Sequence, residues 1–287
     1  MPFSPQQRVV FVTGKGGVGK STVAAALARA EADRGGEVVL VEFEGSTAAA
    51  RALGDDADGV RHLVIEYFDA LVDVMASVLG SRILSRMLVN HRAVRRLVRA
   101  VPALRELSIL DRVRTLVETR PAVRAVVDLP ASGHSVDWLR VPIAAQRFLR
   151  TGPAAEICAA LRDRVLAPTH SAIVVVSTVE PVVASETHEL CDRMAEELQR
   201  SPSLLVANRV PHAPTAEQFD RLRQAARENG AWSDLCMAAG EDRKLARETA
   251  QALRELEAVA GAPLATVPEM HVDPSPRDVL AHLGEAL

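Results

Sequence analysis

Along the chain, short runs of β-branched and apolar residues alternate with longer stretches in which apolar residues recur every three or four positions. The short runs predict strands at Arg8–Thr13, Glu37–Phe43, Val60–Ile65, Val123–Leu129, Ala172–Ser177, Leu204–Asn208 and Leu264–Val267. Several are apolar almost throughout, as expected of strands covered on both faces. Helical patterns separate most of them, which is the signature of βαβ units and predicts an α/β fold with a mainly parallel sheet flanked by helices. The first helix is expected from Lys20 to Asp33, stopped by Gly35-Gly36. A later one opens at Thr215, with Gln218 completing a capping box, and closes near Gly230.

Residues 66–118 break the alternation. They carry no strand signal. Phe68, Leu71, Val72, Met75 and Leu79 follow helical spacing, and Val94, Leu97, Val98 and Val101 repeat it, with Arg92, Arg95, Arg96 and Arg99 on the opposite face. The pattern predicts a helical insertion at 66–118 within a single α/β domain spanning 1–287. Its apolar positions Phe68, Leu71, Val72, Met75, Leu84, Met87 and Leu88 are candidates for lining a groove, and the alternative is that they are core.

Composition narrows the function. The chain has 287 residues, 48% hydrophobic and 25% charged, with a net charge of −3. Nothing there gives the global positive field of a nucleic-acid binder. The segment MPFSPQQ lacks the features of a signal peptide, and no run reaches the ~18 apolar residues of a spanning helix, so a cytoplasmic protein is expected. Cys158, Cys191 and Cys236 are far apart and read as inert buried thiols. With no CxxC pair, zinc is not expected.

The chemistry is concentrated in Gly14-Lys15-Gly16-Gly17-Val18-Gly19-Lys20-Ser21-Thr22, which follows a strand and opens a helix. It completes the pattern G-x-x-x-x-G-K-[ST] of a phosphate-binding loop. Glycines let successive backbone N–H groups converge on phosphate oxygens, and the helix N-terminus adds a favourable dipole. Lys20 is expected on the β- and γ-phosphates of ATP and Ser21 on Mg2+. Lys15 is a second lysine that such a loop does not need.

Lys15 to Thr22 resembles the deviant Walker A motif, KGGxGK[ST], of the MinD/ParA/ArsA ATPases. The resemblance implies that Lys15 reaches the nucleotide of a partner subunit across a two-fold axis, so that ATP joins a dimer. Asp128, ending an apolar strand, is where that class places a Mg2+-holding carboxylate. Ser132-Gly133-His134-Ser135 and Leu139-Arg140-x-Pro142 are similar to the ArsA branch, which includes arsenite-pump ATPases and the ATPase that targets tail-anchored proteins. The same resemblance assigns Asn208 and Pro268 to the adenine side. Asn208 carries a donor and an acceptor suited to that base edge.

The pattern departs from the family at Glu42-Phe43-Glu44-Gly45, where the family carries an aspartate that positions the attacking water. Glu44 is the expected counterpart. Glu42 is the alternative, because a strand continued through both would point them to one side. This segment is similar to a bacterial single-domain subgroup reading E-x-E-G, some of which work as paralogous pairs, so a homodimer and a heterodimer both stay open. The implied function is an ATP-hydrolysing dimeric switch, handling a hydrophobic or membrane-protein client. A MinD/ParA-type spatial organiser and a regulatory ATPase without such a client are the alternatives.

Overall fold

The structure, a computed structural model, describes residues 3–130, 135–211, 217, 220–221, 223–225, 232–258, 262–270 and 274–283. Seven strands form one sheet in the order β3-β2-β4-β1-β5-β6-β7. They are β1 (Val9–Gly14), β2 (Glu37–Phe43), β3 (Val60–Ile65), β4 (Val123–Asp128), β5 (Ser171–Thr178), β6 (Leu204–Val210) and β7 (Leu264–Pro268). Every pairing is parallel. All seven expected strands are present, displaced at their ends by no more than a residue or two.

Burial explains both the apolar runs and the parallel order. All six residues of β1, all six of β4 and all eight of β5 are buried, because helices cover both faces. On one face lie α1 (Lys20–Asp33), α2 (Ala48–Leu53) and α11 (Pro276–Leu283). The α1 sequence KSTVAAALARAEAD is apolar on several sides, and every residue from Val23 to Ala30 is buried. Its alanines let α1 lie close to the sheet on one side and to α2 and α11 on the other. The opposite face packs against α6 (Pro102–Thr119), α7 (Ser135–Ala145), α8 (Pro153–Leu161), α9 (Pro181–Arg193) and α10 (Trp232–Glu257).

Residues 67–119 form four helices between β3 and β4: α3 (Tyr67–Leu79), α4 (Arg82–Asn90), α5 (Arg92–Ala100) and α6. Ser81 caps α4, accepting a hydrogen bond from Leu84 N. Pro102 at the first turn of α6 forces the break after α5. Here the expected groove is corrected. Leu71 and Val72 belong to a small core with Tyr67, Val89 and Val98, and Phe68 and Met75 pack on it. Leu84, Met87 and Leu88 are exposed, with Val78, Leu79 and Ile83 beside them. Helical periodicity cannot separate these sets, since it gives a face but not what lies against it. Arg95 likewise does not stand on a purely solvated face, for its guanidinium stacks 4.5 Å from the Phe68 ring centroid.

The expected helix from Thr215 to Gly230 lies largely outside the described residues, as do Ser132, Gly133 and His134. Among the described residues no helix is long and apolar enough to cross a membrane.

Candidate nucleotide site

The carboxyl ends of the central strands meet at a cavity of about 500 Å3. Open parallel sheets place their ligands at this edge. The loop after β1 supplies Gly17, Gly19, Lys20 and Ser21 to the lining. The turn after β2 supplies Glu44, Gly45 and Ser46, and the end of β4 supplies Asp128.

Two glycines make the loop possible. Gly14 ends β1 at φ +141, and a Cβ there would lie 2.1 Å from the Val176 carbonyl oxygen of β5. Gly19 has φ +93, and its Cβ would lie 2.2 Å from Asn208 Nδ2. Both positions combine a backbone conformation that glycine alone adopts readily with a neighbour in the way. Val18 is buried and anchors the loop, whereas Lys15 and Gly16 stand exposed. Thr22 is half-buried in the first turn of α1.

Lys20 is only 5% exposed, and its Nζ donates to the Lys15 carbonyl at 2.7 Å. Burial lowers its pKa, and the charge of Asp128 opposes that shift. Parallel register places Asp128 beside Val12, one strand over from the loop. The Ser21 hydroxyl donates to Asp128 Oδ2 at 2.6 Å. Asp128 Oδ1 is buried and has no hydrogen-bond partner among the described residues. Burial pushes the Asp128 pKa up to about 6, against the opposing pull of Ser21 and Lys20. A hydroxyl and a carboxylate with one orphaned buried oxygen form a donor set that fits Mg2+, which prefers hard oxygen ligands.

The two glutamates after β2 separate. β2 ends at Phe43, so no continuing strand aligns Glu42 with Glu44. Glu42 is fully buried and both its carboxylate oxygens are engaged. Oε1 accepts from Ser46 Oγ and Ala49 N, each at 3.0 Å, and Oε2 accepts from Ala50 N at 3.0 Å. His62 Nε2 lies 2.8 Å from the same Oε2. The Thr47 side chain makes no cap, so Glu42 performs that task for α2 from the adjacent strand. Burial alone would raise its pKa, but these donors and His62 together leave it lowered. Glu44 is exposed and lines the cavity.

Lys15 Nζ is ion-paired with Glu186 of α9. Asn208 lies opposite Thr178 on β5, and its Nδ2 donates to the Val18 carbonyl at 2.8 Å. Its amide therefore braces the loop, and Asn208 is not among the residues lining the cavity. Pro268 pairs in register with Val210, beyond a bulge in β6, and is not among the residues lining the cavity.

Two arginines in the lining were not among the expected site residues. Arg105, from the second turn of α6, reaches the cavity and lies 5.8 Å from the Tyr67 ring centroid. No local sequence pattern distinguishes it from the other arginines of the helical segment. Arg209 adopts the left-handed conformation, φ 56, at the β6 bulge and also lines the cavity. A non-glycine residue in that region is uncommon and concentrates at functional sites. Its adjacency to Asn208 was the available signal.

A phosphate-binding loop at the carboxyl edge of an all-parallel sheet, beside a buried strand-end carboxylate, defines the class of P-loop nucleotide-binding proteins. Residues 9–255 match the CobQ/CobB/MinD/ParA nucleotide binding domain, and the chain belongs to that family. It is similar to ATPase BagA of Mycobacterium tuberculosis and to "Putative ATPase Mb3704" of Mycobacterium bovis. Each is 29% identical over 227 residues, covering 71% of this chain and 66% of the relative. The match therefore spans just under two-thirds of those relatives' length.

Proposed function

We propose that the chain is a Mg-ATP-hydrolysing switch of the ArsA-like branch of this family, active as a homodimer or as a heterodimer with a paralogue. The observation that carries this reading is the convergence of Lys20, Ser21, Asp128 and Glu44 on one cavity. Lys20 is placed to exchange the Lys15 carbonyl for phosphate oxygens. Ser21 and, through water, Asp128 would hold Mg2+, which would neutralise charge on the phosphates. Glu44 orients the attacking water. The engaged, buried carboxylate of Glu42 favours this division, with Glu42 holding the turn that carries Glu44. Asn208, with Pro268 nearby on the next strand, faces the adenine side.

Lys15 acts in trans. In a single chain its charge is matched by Glu186, so reaching a partner's nucleotide means exchanging one anion for another. Association is thereby coupled to the presence of ATP. Arg105 links the nucleotide to the helical segment, because it lines the cavity from α6 and approaches Tyr67 at the start of α3. The exposed apolar side chains of α4 and the end of α3, with Ile83 at 79% and Met87 at 69%, support a hydrophobic client.

The test pairs two lysines by calorimetry, sedimentation and ATPase assay. Lys20→Ala abolishes ATP binding. Lys15→Ala keeps ATP binding but neither dimerises nor hydrolyses, measured with the co-expressed partner if that is a paralogue. Wild-type turnover in Lys15→Ala rules out the trans role. Photo-crosslinkers at Ile83 and Met87 test the client. ATP-dependent capture of apolar segments supports it, and salt-sensitive nucleic-acid binding through Arg92 and Arg96 instead favours a spatial organiser.

A further inference from the structure

A second cavity, of about 550 Å3, lies on the sheet face covered by α7, α8 and α9, and shares no lining residue with the nucleotide cavity. Its floor is apolar and includes Leu139 and Ile143 of α7, Leu166, Ile173 and Leu198. Two π-helical turns border it: Arg162–Leu166 after α8 and Met194–Leu198 after α9. Wide turns of this kind recur at functional sites.

Arg200 completes the lining. Its Nη1 donates to the Leu166 carbonyl at 2.7 Å and to Ser171 Oγ at 2.8 Å, and its Nη2 donates to the Ser171 carbonyl at 2.7 Å. All three acceptors are neutral. A guanidinium has five N–H donors, so Nε–H and the second Nη2–H remain, and they bond to no described protein atom. Those two form the side-on fork that matches a carboxylate. None of the acids lining the cavity bonds to Arg200. Asp163 is held by Arg162, and Glu197 by Arg140 and Arg193. Glu196 forms no ion pair with a described cation. Burial pushes the Arg200 pKa down to about 10. Arg200 is half-buried, so its unbonded edge remains within reach of a ligand in the cavity.

We propose that this cavity binds a small molecule carrying a carboxylate on an apolar body. The carboxylate takes the Nε–Nη2 edge of Arg200, and the body lies against Ile143, Leu166 and Leu198. The volume falls within the usual range for small-molecule sites, about 300–1,000 Å3. One wall is α7, the helix that follows Asp128 in the chain, so an occupant bears on an element adjoining the nucleotide site.

The probe is 3-phenylpropionate, set against its neutral amide, in calorimetry with the full-length protein. The expected result is saturable binding of the acid and none of the amide. Arg200→Lys keeps the charge but loses the fork, and weakens the acid on the order of tenfold or more. Ile143→Trp fills the cavity and abolishes binding while leaving Arg200 in place. If Arg200→Lys does not fold, Ile143→Trp decides alone. Equal binding of acid and amide, no binding of the acid at millimolar concentration, or acid binding that survives the substitutions overturns the proposal.

Discussion

The phosphate loop with α1 and the helices between β3 and β4 use similar apolar residues, but they are held very differently. In α1 every residue from Val23 to Ala30 is buried between the sheet and its covering helices. In α4 only Ser85 and Val89 are buried, and α3, α4 and α5 share a five-residue buried cluster, whereas α6 packs onto the main core. Phosphate chemistry tolerates little displacement, so its loop sits where two packed layers meet. A surface for a changeable partner needs no such rigidity, and it occupies an element with few buried contacts.

Four substitutions sharpen or break this contrast. The largest effect is expected at Glu44→Gln. Turnover falls ~10²–10⁴-fold, as for loss of a positioned acid–base group, while the melting temperature stays put because Glu44 is exposed. Normal turnover in that variant moves the role to another group. Next is Leu71→Ala, expected to cost about 2–5 kcal/mol by denaturant titration, since Leu71 is core and not groove. A change below about 0.5 kcal/mol, the usual bound for surface sites, would return it to the surface.

Glu42→Gln follows, with a loss of about 1–3 kcal/mol as charge-assisted bonds to Ser46, Ala49 and Ala50 weaken. The sign of its pH dependence follows from a lowered folded pKa. Its contribution is fully present above the ordinary glutamate value, about 4.3, and is lost as pH falls through the folded value. Wild type should therefore lose more stability than Glu42→Gln between roughly pH 5 and pH 3. Equal losses would show that Glu42 is not charged in the fold. The smallest effect is expected at Met87→Gln, within about 0.5 kcal/mol of wild type, with client crosslinking reduced. A large stability loss there would mean that α4 is core.

The sequence by itself determined the strands, the first helix, the phosphate loop and the catalytic candidates near it. Those signals are local. A strand is a run of apolar residues, and the loop is a fixed spacing of glycines with one lysine and one hydroxyl. Only the tertiary structure separated Glu42 from Glu44, because the end of β2 and the unfilled cap of α2 decide which carboxylate turns inward. Only it placed Leu71 in a core and Met87 in solvent, although both were candidates for one groove. Likewise it joined Lys15 to Glu186, brought Arg105 and Arg209 to the nucleotide cavity, and left a fork of Arg200 without an anion. Each of these depends on residues distant in the chain that meet through parallel pairing and helix packing. Such meetings are set by the whole fold, and a local window of sequence contains no record of them.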